Sequence, residues 1–296
     1  DCKVQHCHVC NICKSKADNH PRGRDRAKAM GDVIHTDLSG KMHITGIFGW
    51  KYFQVFIDEK STICDVYLLK SKSETYEIMK NYMSYFETKY ERKIKTFRHD
   101  RGTEFLNGKI DKLCKEKGTQ QTMTDGYNGA QNSISERKMY TLINMATSMM
   151  KTGKMPKSFW PYAILTANYI TNRVMSVVLP NSKSALECAT GKKPDLSRLA
   201  TFGSIAYAHV PKVIRQKLDD KAILCRFIGY SSENKQDKNG RSSGFLLYDP
   251  KSRKTITTTS VTFYNSLLLT LPDPKDIDIP FEKDNEVIEN EFTTED

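Results

Sequence analysis

GDVIHTDL at 31–38, WKYFQVFID at 50–58 and TICDVYLL at 62–69 are three strand-like runs in close succession, and KIKTFRHD at 93–100 is a fourth. What separates them decides the fold. A turn signal, Ser39-Gly40, follows the first run, and the short gap holding Lys60 and Ser61 suits a hairpin between the second and third. After residue 70 the period changes. Tyr76, Met79, Met83, Phe86 and Tyr90 recur at spacings of three and four, which predicts an amphipathic helix with Ser73-Glu74 as its start. FLNGKIDKLCKEKG at 105–118 predicts a second helix that Gly118 ends, and TQQTMT at 119–124 a short fifth strand. Three antiparallel strands, extended by two that alternate with helices, give an α/β fold: a mixed five-stranded sheet with helices on its faces.

Outward from this block, residues 125–129 (DGYNG) read as a loop, followed by a helix with Leu142, Ala146 and Met149 on one stripe beside Met139, Ile143 and Met150. A further helix is expected from about Phe159 to Val178, after Pro156. Residues 197–268 are a different fabric: SIAYAHV, LCRFIGY, SGFLLYDP and KTITTTSVTF are short runs separated by polar turns, the spacing of a small all-β barrel or sandwich. The domains expected are therefore an α/β unit over 31–192, a small β domain over 197–268, a basic leader over 1–30 too poor in large apolar residues to form a core, and an acidic tail over 272–296 expected to be disordered.

The charge is unevenly spread over the 296 residues. The net charge is +11, yet residues 272–296 hold ten acidic and two basic side chains, leaving +19 on the rest. A body that basic points to a polyanion, most simply nucleic acid, although a basic enzyme would also fit. No apolar stretch approaches the roughly 20 residues of a membrane helix, and no charged-then-apolar signal peptide opens the chain. Because the sequence begins at Asp1 without Met, it is expected to be a fragment or a processed product. Four of the eight cysteines fall within the first thirteen residues and four are scattered, which fits a reducing compartment and an N-terminal metal cluster better than a disulfide scaffold. The scattered Cys64, Cys114, Cys188 and Cys225 lie in apolar contexts and read as core.

Three acids stand where a metal site would be built. Asp37 ends the first strand, Asp100 ends the fourth, and Glu136 sits early in the helix after the Gly-rich loop. Taken singly, an Asp at a strand end is more often a turn or cap residue, and a Glu early in a helix is usually a solvated charge. If the first and fourth strands are neighbours, however, the three could meet. Three carboxylates in one pocket repel one another unless a cation neutralises them, and hard oxygen donors suit Mg²⁺ or Mn²⁺. Two such ions about 4 Å apart are the device that activates an attacking oxygen and stabilises a leaving one in phosphodiester chemistry.

HTDL at 35–38, RHDRGTEF at 98–105 and QNSISERK at 131–138 resemble the three catalytic blocks of Copia/Ty-type (Pseudoviridae) LTR-retrotransposon integrases, of the retroviral integrase superfamily, encoded in Gag-Pol polyproteins. The thirty-five residues between Asp100 and Glu136 match the separation in retroviral-type integrases. LKSKSE at 69–74 is similar to the segment opening the family's first helix, and FGSIAYAHVP, KLDDKA, FIGY and YDP resemble the Src-homology-like barrel that follows the core. The likeness spans roughly residues 10 to 268. There are departures: Gly129, Ser133 and Ile134 stand where the third block usually has Pro, Gly and Val, Met139 replaces a common Asn, and Arg101 and Thr103 stand where Asn and Gly are frequent.

The resemblance implies an RNase H-like fold and, at one site, water-driven 3′-end processing followed by strand transfer, with Asp37, Asp100 and Glu136 holding two Mg²⁺ or Mn²⁺ ions and no covalent protein intermediate. It implies element-end DNA and target DNA as partners, a homo-multimer, and work in the nucleus reached by way of a cytoplasmic particle. Cys10-Asn-Ile-Cys13 resembles the end of the family's His-His-Cys-Cys module. Zn²⁺ could be held by Cys10 and Cys13 with His6 and His8, near Cys2 and Cys7, or the segment is a finger remnant without metal. Candidate phosphate contacts are Lys14, Lys16, Arg22, Arg24, Arg26 and Lys28 in the linker, Gln131, Asn132, Arg137 and Lys138 beside Glu136, and Lys212, Arg215, Lys217 and Lys221 in the β domain. Two other readings stay open: a different RNase H-like nuclease or transposase, and a catalytically silent, host-adopted DNA-binding derivative.

Overall fold

The computed structural model describes residues 27–100, 102, 105, 108–123, 133–231 and 244–264. Its first sheet holds β1 (Ile34–Leu38), β2 (Tyr52–Asp58), β3 (Cys64–Leu69), β4 (Thr96–His99) and β5 (Gln120–Met123) in the order β3-β2-β1-β4-β5. β1, β2 and β3 pair antiparallel, while β4 runs parallel to β1 and β5 parallel to β4. This is the mixed RNase H-like sheet that the order of elements and the resemblance predict.

Helices cover both faces because each strand alternates. On β2, Phe53, Val55 and Ile57 point to one face, where they join Leu142 and Ala146 of α3 (Ser133–Thr152) and Trp160, Ala163, Ile164 and Ala167 of α4 (Trp160–Arg173). Phe56 points the other way, into a cluster with Phe97 of β4, the apolar stripe of α1 (Thr75–Tyr90) and Ile110, Leu113 and Cys114 of α2 (Gly108–Lys117). Phe56 stacks on Tyr82 at 4.0 Å between ring centroids. Gly118 ends α2 with φ +68, a left-handed conformation that costs glycine little.

Two boundaries differ from the sequence expectation. Ser71, not Ser73, starts the first helical segment: its hydroxyl accepts from Ser73 N, and Glu74 Oε1 accepts from Ser71 N at 2.9 Å, completing a capping box over a one-turn 3-10 segment ahead of α1. The last long helix stops at Arg173, not Val178, because Val174 is extended (φ −77, ψ 155). Residues 174–179 keep the apolar character that suggested a helix, but Leu179 precedes Pro180, which disfavours helical backbone there. A short helix not anticipated from the sequence, α5 (Ala185–Thr190), follows, with the Ser184 hydroxyl as its cap.

β3 is an edge strand, and α4 covers its first residue. Asn168 Nδ2 and Asn172 Nδ2 donate to the Cys64 carbonyl at 2.8 and 2.7 Å, and Asn172 Oδ1 accepts from Cys64 N at 3.1 Å. The Cys64 backbone groups, at the start of that open edge, are thereby satisfied.

The second sheet is wholly antiparallel: β6 (Ile205–His209), β7 (Ala222–Tyr230), β8 (Phe245–Asp249), β9 (Lys254–Thr258) and β10 (Val261–Phe263), ordered β10-β6-β7-β8-β9. Its outermost strands, β10 and β9, are consecutive in the chain, so the sheet curls round toward closure. Ala206, Ala208, Cys225, Phe227, Phe245 and Leu247 fill its interior. It does not stand apart from the first unit: Phe202, Ile228 and Tyr248 belong to the same buried cluster as Phe53 and Trp160. Thr166 Oγ1 of α4 lies 3.2 Å from the Ile228 carbonyl, and Tyr169 stacks on Tyr230 at 3.8 Å.

Of the cysteines read as core, Cys64, Cys114 and Cys225 are buried and Cys188 is half-buried, all four with free thiols. Among the described residues no helix is long and apolar enough to cross a membrane.

Candidate catalytic site

β1 and β4 are side by side, in the register Ile34↔Phe97 and His35↔Arg98. Carried on by two residues, that register sets Asp37 beside Asp100. The antiparallel partners of β1 fix which way these side chains point: Asp37 lies opposite Val55 and His35 opposite Ile57. Residues directly opposite share a face, and Val55 and Ile57 face α3 and α4. His35, Asp37, Arg98 and Asp100 therefore lie on the face that α3 covers, while Phe97 and His99 face α1 and α2.

Asp37 is 9% exposed. Asp100 is half-buried, with Oδ1 accepting from Gly102 N at 2.9 Å. The intervening His99 is buried on the opposite face. Its ring stacks on Phe105 at 4.8 Å, its Nδ1 donates to the Asp100 carbonyl at 2.6 Å, and Nε2 lies 3.1 Å from Gln121 Oε1. His99 thus fixes the backbone from which the Asp100 carboxylate projects, a role the sequence reading missed. RHD displayed the residue, but only the alternation of the strand reveals its face.

Glu136 lies in the first turn of α3 and is exposed. Its position lines up, three and seven residues on, with Met139 and Ile143, which pack against the sheet-covering cluster. Glu136 thus sits on the flank of the buried stripe, at the end of α3 where the helix begins.

A first-turn carboxylate is favoured by the positive end of the helix dipole. The donor set is one of hard carboxylate oxygens, which fits Mg²⁺ or Mn²⁺. The sheet register brings two of the three acids together on the face of the third. Among the described residues, no three of His, Cys, Asp and Glu form a group that could hold one ion, so the three acids share a face of the sheet without being gathered round one point.

The other candidate residues divide. Cys2, His6, Cys7, His8, Cys10 and Cys13, the linker residues Lys14, Lys16, Arg22, Arg24 and Arg26, and Gln131 and Asn132 lie outside the described residues. Arg137 is exposed beside Glu136, and Lys28, Lys212, Lys217 and Lys221 are exposed. Lys138 differs from the expectation of a phosphate contact. It is turned toward α4, its Nζ donates to Thr171 Oγ1 at 2.7 Å, and desolvation holds its pKa below the ordinary lysine range. Arg215 is half-buried, with Nη1 enclosed and no hydrogen-bond partner for it.

The architecture is a mixed sheet with two aspartates at neighbouring strand ends, followed by a small antiparallel β domain. Residues 204–276 match the retroviral polymerase SH3-like domain. The chain is 34% identical over 274 residues to the retrovirus-related Pol polyprotein from transposon TNT 1-94 of Nicotiana tabacum, a match covering 91% of this chain and 20% of that protein. The Pol polyproteins from transposons RE2 and RE1 of Arabidopsis thaliana are 27% and 28% identical over 229 residues, covering 77% of this chain and 16% and 15% of theirs. The chain is similar to a segment of retrovirus-related Pol polyproteins of plant transposons and spans about a fifth or less of their length.

Among solved structures, a chain of a simian T-cell lymphotropic virus intasome in complex with PP2A regulatory subunit B56 gamma has TM-score 0.48 at 15% identity, covering 87% of this chain and 84% of its own. The HTLV-2 integrase catalytic core domain in complex with magnesium has TM-score 0.41 at 16% identity, covering 54% and 96%.

Proposed function

We propose that this chain is a retrotransposon integrase that performs 3′-end processing and strand transfer of element DNA into target DNA. Asp37, Asp100 and Glu136 are its metal-binding carboxylates. The observation that carries the reading is the β1–β4 register, which sets Asp37 beside Asp100 on the face that α3, bearing Glu136, covers. Mg²⁺ or Mn²⁺ ions, two per site, would supply activation of the attacking oxygen and charge stabilisation of the leaving one. The chain's own part is to hold two hard ligands, Asp37 and Asp100, at the sheet and to bring Glu136 of α3 toward them when cation and DNA enter.

Arg137, Gln131, Asn132 and the linker residues Lys14, Lys16, Arg22, Arg24 and Arg26 hold phosphates, and Lys212, Lys217 and Lys221 are further contacts in the β domain. The same reading makes 31–192 the catalytic core and 197–268 the barrel, places Zn²⁺ on Cys10, Cys13, His6 and His8, makes the working form a homo-multimer, and locates it in the nucleus.

The test uses oligonucleotides that mimic the element's ends, with Mg²⁺ or Mn²⁺. Joining into a second duplex that is lost in Glu136→Gln is the expected result. A second reading, a silent DNA-binding derivative, is favoured by Gly129, Ser133 and Ile134, which depart from the usual third block. Duplex binding without cutting or joining by the unsubstituted protein would establish it instead.

A further inference from the structure

A largely enclosed polar cluster of His35, Glu59 and Arg98 lies just before the two aspartates in their strands. His35 Nε2 donates to Glu59 Oε2 at 3.0 Å, and Arg98 Nη1 reaches the same oxygen at 3.4 Å. The His35 side chain is 1% exposed, that of Glu59 7% and that of Arg98 13%. Glu59 is itself anchored, its N–H donating to the Val33 carbonyl at 3.0 Å, and the Ala27 backbone, where the linker enters the core, hydrogen-bonds to its carboxylate.

His35 and Arg98 are also direct partners across β1 and β4, and theirs is the pair nearest the aspartates in the parallel register. Each stands two residues before an aspartate, on the same face. Parallel pairing is slightly less stable per residue than antiparallel pairing. A carboxylate that takes a hydrogen bond from each strand ties the two side-chain rows together where the strand ends would otherwise splay.

We propose that Glu59 is a positioning residue: by joining His35 of β1 to Arg98 of β4 it holds the strand ends so that Asp37 and Asp100 stay side by side. This rests on the reading of those aspartates as cation ligands, but the clamp itself is measurable without a cation. Removing Glu59 takes the shared acceptor from the buried His35 Nε2 and from the Arg98 guanidinium, so the loosening is directed at one place in the sheet.

The experiment compares amide hydrogen exchange, in metal-free protein, of the unsubstituted chain, Glu59→Ala and Glu59→Gln. Ile110→Val, on the opposite face of the sheet, serves as a control for general destabilisation. Exchange over 36–39 and 99–100 is expected to accelerate at least tenfold in Glu59→Ala, and less in Glu59→Gln, which retains one acceptor oxygen. α1 and the β2–β3 pair should keep their protection. Acceleration spread evenly over the sheet, or none at the strand ends, would overturn the proposal.

Mn²⁺ titration followed by electron paramagnetic resonance separates the two claims. Weakening of about tenfold in Glu59→Ala, with Ile110→Val unchanged, is expected. Binding as tight in Glu59→Ala as in the unsubstituted protein overturns the positioning role. If the unsubstituted protein takes up no Mn²⁺, it is the integrase reading that fails, and the exchange experiment still decides the clamp.

Discussion

Glu136 is exposed and meets the sheet only through its neighbours, so its carboxylate contributes little to folding. Glu136→Gln should shift unfolding free energy by no more than about 0.5 kcal/mol. Strand transfer should fall by more than about 100-fold, since outer-sphere partners of a metal alone cost 10- to 100-fold. Denaturant melts and end-joining assays on the same preparation check both halves. Cys64 gives the opposite case, a group that matters to folding and not to chemistry. Burial pushes its thiol from the ordinary 9.0 up to about 12. A thiol harder to ionise when folded favours the native state fully below its ordinary pKa, and that contribution is lost as pH rises toward 12. One such proton changes stability by up to about 1.4 kcal/mol per pH unit. Urea midpoints should therefore fall between pH 9 and 11, and the fall should be shallower in Cys64→Ala. An identical pH dependence in the two proteins would show that this thiol does not contribute.

At the scale of elements, α3 carries the strongest expectation. Leu142 is fully buried between β2 and α4, so Leu142→Ala should cost about 2–5 kcal/mol in chemical denaturation. Ser71→Ala, which breaks the capping box, should cost about 1 kcal/mol. The sequence displayed these elements because each has its own local signature: alternating Phe53, Val55 and Ile57, the three-and-four spacing from Tyr76 to Tyr90, and Gly118 after a polar helix. It displayed two of the three acids as strand-end residues for the same reason. The rest depended on geometry that no local pattern encodes. Glu59 follows a strand without a motif, and its value comes from meeting Arg98, far along the chain. Lys138 looked like a phosphate ligand because it lies close to Glu136 in sequence, yet two residues of helical rotation turn it toward Thr171. Residues 174–178 were apolar enough to pass for helix, and only the extended backbone from Val174 separates them from it.

Across the whole molecule, core and barrel share one buried cluster, and their junction includes a contact with no room for a side chain. A Cβ on Gly153 would fall 2.4 Å from the Phe202 carbonyl oxygen, and Gly203, at φ +80, abuts Gly153 Cα. Gly153→Ala should therefore destabilise by about 1–3 kcal/mol and broaden the unfolding transition if barrel and core begin to melt separately, which calorimetry would register. The +19 carried outside the acidic tail should make duplex binding fall steeply with salt, roughly one decade per decade of salt for each phosphate neutralised. Fluorescence anisotropy between 50 and 300 mM salt would measure that slope.

The most direct measurement of all is the position of Mn²⁺ in crystals of the chain with element-end DNA, located by anomalous scattering. Peaks enclosed by the carboxylates of residues 37, 100 and 136, with the start of α3 moved in over the sheet, are the predicted result. Manganese bound elsewhere, or Glu136 still apart from both aspartates with DNA in place, would contradict the assignment of the site.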